Sequence, residues 1–161
     1  MPIAALLASI ALYVPVPAGV TVQVGQCPAY EVAVSCADTQ GRVVYLLPDD
    51  DRANLRFTLA HELGHIWDAD HMTDPYRAAF TAQTGAPDRA WFSDADTSLD
   101  PGEAFANAYA YCSMSPRARR REFRDDGNGY PGIGIRYQGR AGRQVVANTC
   151  WLLDHPPTSR M

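Results

Sequence analysis

The segment from His61 to His71, HELGHIWDADH, constrains this chain more than any other stretch. It carries three of the four histidines, and the first two are four residues apart inside a helical apolar pattern. Leu55, Leu59, Leu63 and Ile66, extended by Phe57 and Trp67, recur at that spacing and predict a helix from about Arg52 to Asp68. Pro48-Asp49-Asp50-Asp51 ends the preceding apolar run and supplies carboxylates that can cap the helix. On such a helix His61 and His65 project from one face a turn apart and can share one metal ion. Glu62, beside rather than in line with them, can take the proton of a water activated by that ion. Gly64 weakens the helix by up to about 1 kcal/mol against Ala, which makes sense if backbone or substrate passes close there.

A catalytic zinc takes three protein ligands and keeps an open position, so a third ligand is needed. Two residues compete. His71 follows His65 by six residues, whereas Glu103 lies in Pro101-Gly102-Glu103-Ala104-Phe105-Ala106-Asn107-Ala108-Tyr109-Ala110, within a helical segment predicted over Ser98 to Cys112. On that helix Glu103 and Asn107 share a face, so one can bind the metal while the other orients a ligand histidine from behind. HELGH together with this segment resembles the glutamate zincins, and especially the ImmA/IrrE-type metallopeptidases with their ExxAN-x-aromatic-A pattern. His71 in turn gives the HExxHxxxxxH spacing of the metzincins, and Cys112-Ser113-Met114-Ser115-Pro116 resembles their Met-turn. The match departs at Asp68, where those peptidases carry the glycine that turns the chain. Glu103 is therefore preferred over His71 as the third ligand, and Met114 is assigned to the core. Asp68 falls on the metal-facing side, where it would orient a ligand or cap the next segment.

The resemblance implies an α+β, zincin-like domain with a small N-terminal sheet, the HExxH helix and a second ligand-bearing helix. It also implies a Zn2+ cofactor and a peptide or protein substrate, cleaved by a zinc-activated water with Glu62 as general base. Tyr109, Tyr111, Tyr130 and Tyr137 are candidates to assist the oxyanion, and spacing does not choose among them. No GxSxG occurs, so a serine nucleophile has no support. The competing reading from another class is a non-catalytic, metal-stabilised interaction or assembly protein on the same scaffold. Glu62 argues against it, since a structural metal site needs no general base.

The remaining sequence bounds the architecture. At 161 residues, 47% of them hydrophobic, residues 1–161 are expected to form one domain. Val20 to Val24, Glu31 to Ser35 and Arg42 to Leu47 read as strands of a small sheet. A second helix is expected from Asp74-Pro75, with Asp74 as its cap, to about Thr84, and a closing helix from about Arg140 to Leu153. Gly127 to Gly142 reads as a loop, and residues 154–161, with His155, as a tail. Residues 1–18 contain an apolar run, Ile3 to Val14, too short to span a bilayer and without a preceding Lys or Arg. It suits an N-terminal helix packed on the domain better than a signal-like segment.

The net charge of −4 gives no broad basic surface for nucleic acid. The run of Arg117, Arg119, Arg120, Arg121 and Arg124 is followed by Asp125 and Asp126 and reads as a solvated helix face or loop. The four cysteines form no CxxC, so two disulfides are expected, with Cys27–Cys36 and Cys112–Cys150 preferred among three possible pairings. Such bonds place the protein in an extracellular or otherwise oxidising compartment.

Overall fold

The computed structural model describes residues 2–49, 51–85, 87–93, 100–122 and 140–157, with the backbone alone for 120–122 and 140–141. In order, the elements are α1 (Ile3–Ala11), β1 (Thr21–Val24), β2 (Cys36–Asp38), β3 (Val43–Leu46), α2 (Arg52–His71), α3 (Asp74–Gln83), α4 (Pro101–Cys112), α5 (Pro116–Glu122) and α6 (Arg140–Asp154). This is an α+β fold. The sheet runs β1-β3-β2, with β1 parallel and β2 antiparallel to β3.

The second strand lies further along the chain than its alternating pattern suggested. Glu31 to Ser35 is not a strand, and pairing begins at Cys36. The Gln26 side-chain amide donates towards the carbonyls of Tyr30, Glu31 and Val32, which occupies groups a ladder would need. The Cys27 amide takes the carbonyl of Val34, and the Cys27–Cys36 disulfide closes the loop at the point where pairing starts. Local hydrogen bonding of this kind competes directly with sheet formation.

The helix α2 starts as its sequence requires: Asp51 is extended, and its carboxylate accepts from the amides of Ala53 and Asn54. Such a cap stabilises a helix by about 1 kcal/mol. At its other end α2 runs one turn further than expected, to His71, with no turn at Asp68. Asp74 does not cap α3; Thr73 holds that position without a side-chain hydrogen bond, and Asp74 lies in the first turn beside Pro75. The helix α5 gives the arginine run a helical backbone. Arg124, Asp125, Asp126 and residues 127–139 of the expected loop lie outside the described residues, as does Ser98, while the end of that loop, Arg140 to Gly142, is instead the first turn of α6.

The core is built around α4. Every residue of this helix is buried except Glu103 and Asn107, which are half-buried. A helix that is apolar on nearly all sides belongs in the middle of a fold, and α4 packs against α2 on one side and α6 on the other. Its frequent alanines permit close approach, and the contact with α2 is closest at Gly64. A Cβ there would lie 3.0 Å from the Ala106 Cα and 3.1 Å from the Tyr109 Cβ. The backbone that passes close to Gly64 is thus that of α4.

Three further ties hold this helix. The Cys112–Cys150 disulfide joins it to α6. The Tyr109 hydroxyl donates to the Pro15 carbonyl at 2.6 Å. Arg56 on α2 donates to the carbonyl and hydroxyl of Ser113, at the negative end of the α4 dipole, and also to Ser9 on α1. Leu6, Ile10 and Val14 bury the apolar face of the N-terminal segment in the same core. Among the described residues no helix is long and apolar enough to cross a membrane.

Gly64→Ala should therefore destabilise the protein although Ala is the better helix former. The propensity gain of about 1 kcal/mol is opposed by overpacking of about 1–3 kcal/mol against backbone that cannot swing aside. A lower urea midpoint together with weaker zinc retention is expected; an unchanged or higher midpoint would refute the contact.

Candidate metal centre

Two helices bring three ligand atoms together. His61 and His65 lie a turn apart on α2, and Glu103 lies in the first turn of α4. The His61 Nε2 is 3.1 Å from the His65 Nε2 and 3.1 Å from Glu103 Oε2, while the His65 Nε2 is 3.4 Å from Glu103 Oε1. A tetrahedral zinc with Zn–N bonds of about 2.0–2.1 Å separates its ligands by about 3.4 Å. The two imidazole nitrogens and the two carboxylate oxygens thus lie at separations close to those around one zinc ion, and His61, His65 and Glu103 form a group among the described residues that could hold a metal.

The ring orientation fits as well. The His61 Nδ1 lies 2.9 Å from Asn107 Oδ1, an oxygen that can only accept, so Nδ1 carries the proton and Nε2 presents its lone pair to the cluster. Asn107 follows Glu103 by one turn, so the same face of α4 supplies a ligand and the partner of another ligand. These are also the two residues of α4 that are not buried among apolar neighbours. Burial alone would raise the Glu103 pKa, but its hydrogen bonds with His61 and His65 outweigh that and hold the carboxyl well below the usual range. Burial likewise opposes protonation of His61, yet Glu103 and Glu62 together raise its pKa. The cluster thus gathers electron-rich atoms that favour a shared cation.

Glu62 is 6% exposed, and its burial pushes the carboxyl pKa up despite the neighbouring His61 and His65. Its carboxylate takes no hydrogen bond among the described residues, and no deeply buried side-chain oxygen there lacks a partner. The carboxylate therefore still reaches solvent.

His71 is elsewhere. Because α2 continues unbroken past Asp68, His71 sits about 9 Å along the axis from His65 and about 15 Å from His61. Its ring stacks on Trp67 at 4.5 Å, with Nδ1 3.1 Å from the Trp67 carbonyl. The chain reversal that the metzincin spacing requires is absent at this point. Met114 packs against the core, and His155 stacks on Trp151 at the exposed end of α6.

Asp68 does not hydrogen-bond to a ligand histidine. Its two oxygens accept from Arg77 Nε at 3.0 Å and from Trp91 Nε1 at 2.8 Å, which ties α3 and the segment before α4 to α2. Asp100, fully buried, performs a similar service that the sequence did not signal. It accepts from Arg89 Nε, the Ser93 amide and the Ser93 hydroxyl. Of the candidate oxyanion tyrosines, Tyr109 is engaged with Pro15 and its pKa is driven upward by burial, whereas Tyr111 packs edge-on against Phe57. Tyr130 and Tyr137 lie outside the described residues.

A mixed sheet backed by a helix bearing two ligand histidines, with a glutamate ligand on a second helix, defines the glutamate zincins, zinc-dependent hydrolases. Residues 18–89 match the family model of the IrrE N-terminal-like domain of the M78 peptidases, so this part of the chain is similar to that zincin peptidase domain. The matched stretch contains HELGH but stops before Glu103, whose assignment rests on the geometry. No curated protein and no solved structure gives a significant match.

Glu103→Ala should abolish stoichiometric zinc retention, as measured by metal analysis after dialysis, while His71→Ala should leave it intact. The opposite pair of results would overturn the ligand set.

Proposed function

We propose that this protein is a metallopeptidase in which Glu62 is the general base and Asn107 positions His61. Zinc held by His61, His65 and Glu103 would lower the pKa of a water towards neutrality and polarise the scissile carbonyl. Glu62 takes the proton of the attacking water and passes it to the leaving amine. Asn107 keeps the His61 ring in one tautomer and one orientation, so its Nε2 stays aimed at the ion.

The observation that carries this reading is the pairing of a three-ligand cluster with an adjacent carboxylate left without a hydrogen bond among the described residues. A purely structural site would more often complete its coordination with a fourth protein ligand. The family description supports a peptide or protein as substrate. The two disulfides are consistent with an oxidising environment and support an extracellular or otherwise oxidising compartment.

In a digest of a broad peptide library, cleavage should vanish with a chelator and return with zinc. Glu62→Gln should retain zinc yet lose roughly 10²–10⁴-fold in rate; a variant as active as the parent would rule out the general-base role, and no cleavage by the zinc-loaded parent would favour the scaffold reading. Asn107→Ala should weaken zinc binding by roughly 10–100-fold in a chelator competition titration, with unchanged affinity counting against the positioning role.

A further inference from the structure

We infer that Phe92 is a specificity-determining side chain of this site: an apolar platform for a bulky, preferably aromatic, substrate residue adjoining the scissile bond. The inference rests on the metallopeptidase reading and adds a substrate class to it. Phe92 is 50% exposed, whereas its aromatic neighbours His65 and Trp91 are half-buried. Its ring lies 5.8 Å from that of His65, at 51°, and sits against Gly102, the neighbour of Glu103. It therefore borders both helices that supply metal ligands. A zinc held by His65 would lie about 2.0–2.1 Å from its Nε2, and an extended peptide advances about 3.3 Å per residue. A substrate whose carbonyl is at the metal can thus bring a neighbouring side chain onto this ring.

The position is held from both sides. Before Phe92, Trp91 donates its indole N–H to Asp68, and its carbonyl accepts from the Gly102 amide at 2.9 Å. After it, Ser93 donates its amide and hydroxyl to the buried Asp100 at 2.7 and 2.8 Å. Two buried carboxylates thus clamp the flanking residues to α2 and to the start of α4. At position 102 a Cβ would lie only 2.3 Å from the Phe92 Cε1, so the glycine provides the seat for the ring. An isolated exposed phenylalanine is ordinary, but one held rigidly beside a metal cluster is pre-organised for binding. Apolar contacts beside a reacting bond discriminate between side chains of different size.

The test uses the zinc-loaded full chain and two dipeptide hydroxamates that differ only in a benzyl or methyl side chain next to the hydroxamate. Their affinity ratio, measured by calorimetry on one protein sample, cancels changes in the metal itself and requires no turnover. The parent should prefer the benzyl compound by roughly ten-fold, and Phe92→Ala should reduce this to about two-fold while zinc stoichiometry is retained. Should Phe92→Ala lose zinc, Phe92→Leu, which still fills the seat over Gly102, is read instead and should lower the ratio at least about three-fold. A parent without preference, or a preference that survives both substitutions, overturns the inference. Failure of the parent to bind either hydroxamate overturns the open metallopeptidase site itself, and the inference with it.

Discussion

The approach of α4 to Gly64 is the contact on which the site depends. A glutamate can join two histidines around one ion only if its helix comes within side-chain reach, and any Cβ at position 64 would press on the backbone of Ala106. Glycine inside a helix is costly, and here the cost is placed between the two ligand histidines. The alanines of α4 complete the fit, so the two helices meet backbone to backbone and Glu103 needs no long excursion. The Cys112–Cys150 bond and the contacts of Arg56 with Ser113 then hold the far end of α4 in place.

Among the described residues, four polar side chains at or near the α2–α4 contact shape the site. Glu103 and Asn107 are the residues of α4 spared from apolar surroundings, and both face the histidines of α2. Asp68 and Asp100 are buried carboxylates that need several donors to be tolerated there. Arg77, Trp91, Arg89 and Ser93 supply those donors, and in doing so fix the segment that leads into α4. The ligand-bearing helix is thus positioned by packing along its length and by buried hydrogen bonds at its start.

Much of the site was legible in short-range pattern. The i, i+4 histidines, the Asp51 cap and the Glu103/Asn107 pair are all features of local helical geometry, which the chain encodes within a few residues. The strand expected over Glu31–Ser35 was misplaced because alternation reports which side chains suit a sheet and is blind to the Gln26 amide that takes the carbonyls. His71 remained a rival ligand because spacing alone does not reveal whether a helix turns or continues. The unbroken α2 removes it, since each further residue moves the side chain about 1.5 Å along the axis.

What the sequence determined by itself is therefore the metal-binding chemistry and the helices that carry it, because both follow from spacings of a few residues. What only the tertiary structure decided is the union of the two halves of the site. Which residue completes the cluster, why a glycine stands at position 64 inside its helix and how Asp68 and Asp100 clamp Trp91 and Ser93 around Phe92 all depend on contacts between segments remote in sequence. Such contacts are governed by shape and hydrogen-bond satisfaction in three dimensions, for which the chain has no local signature.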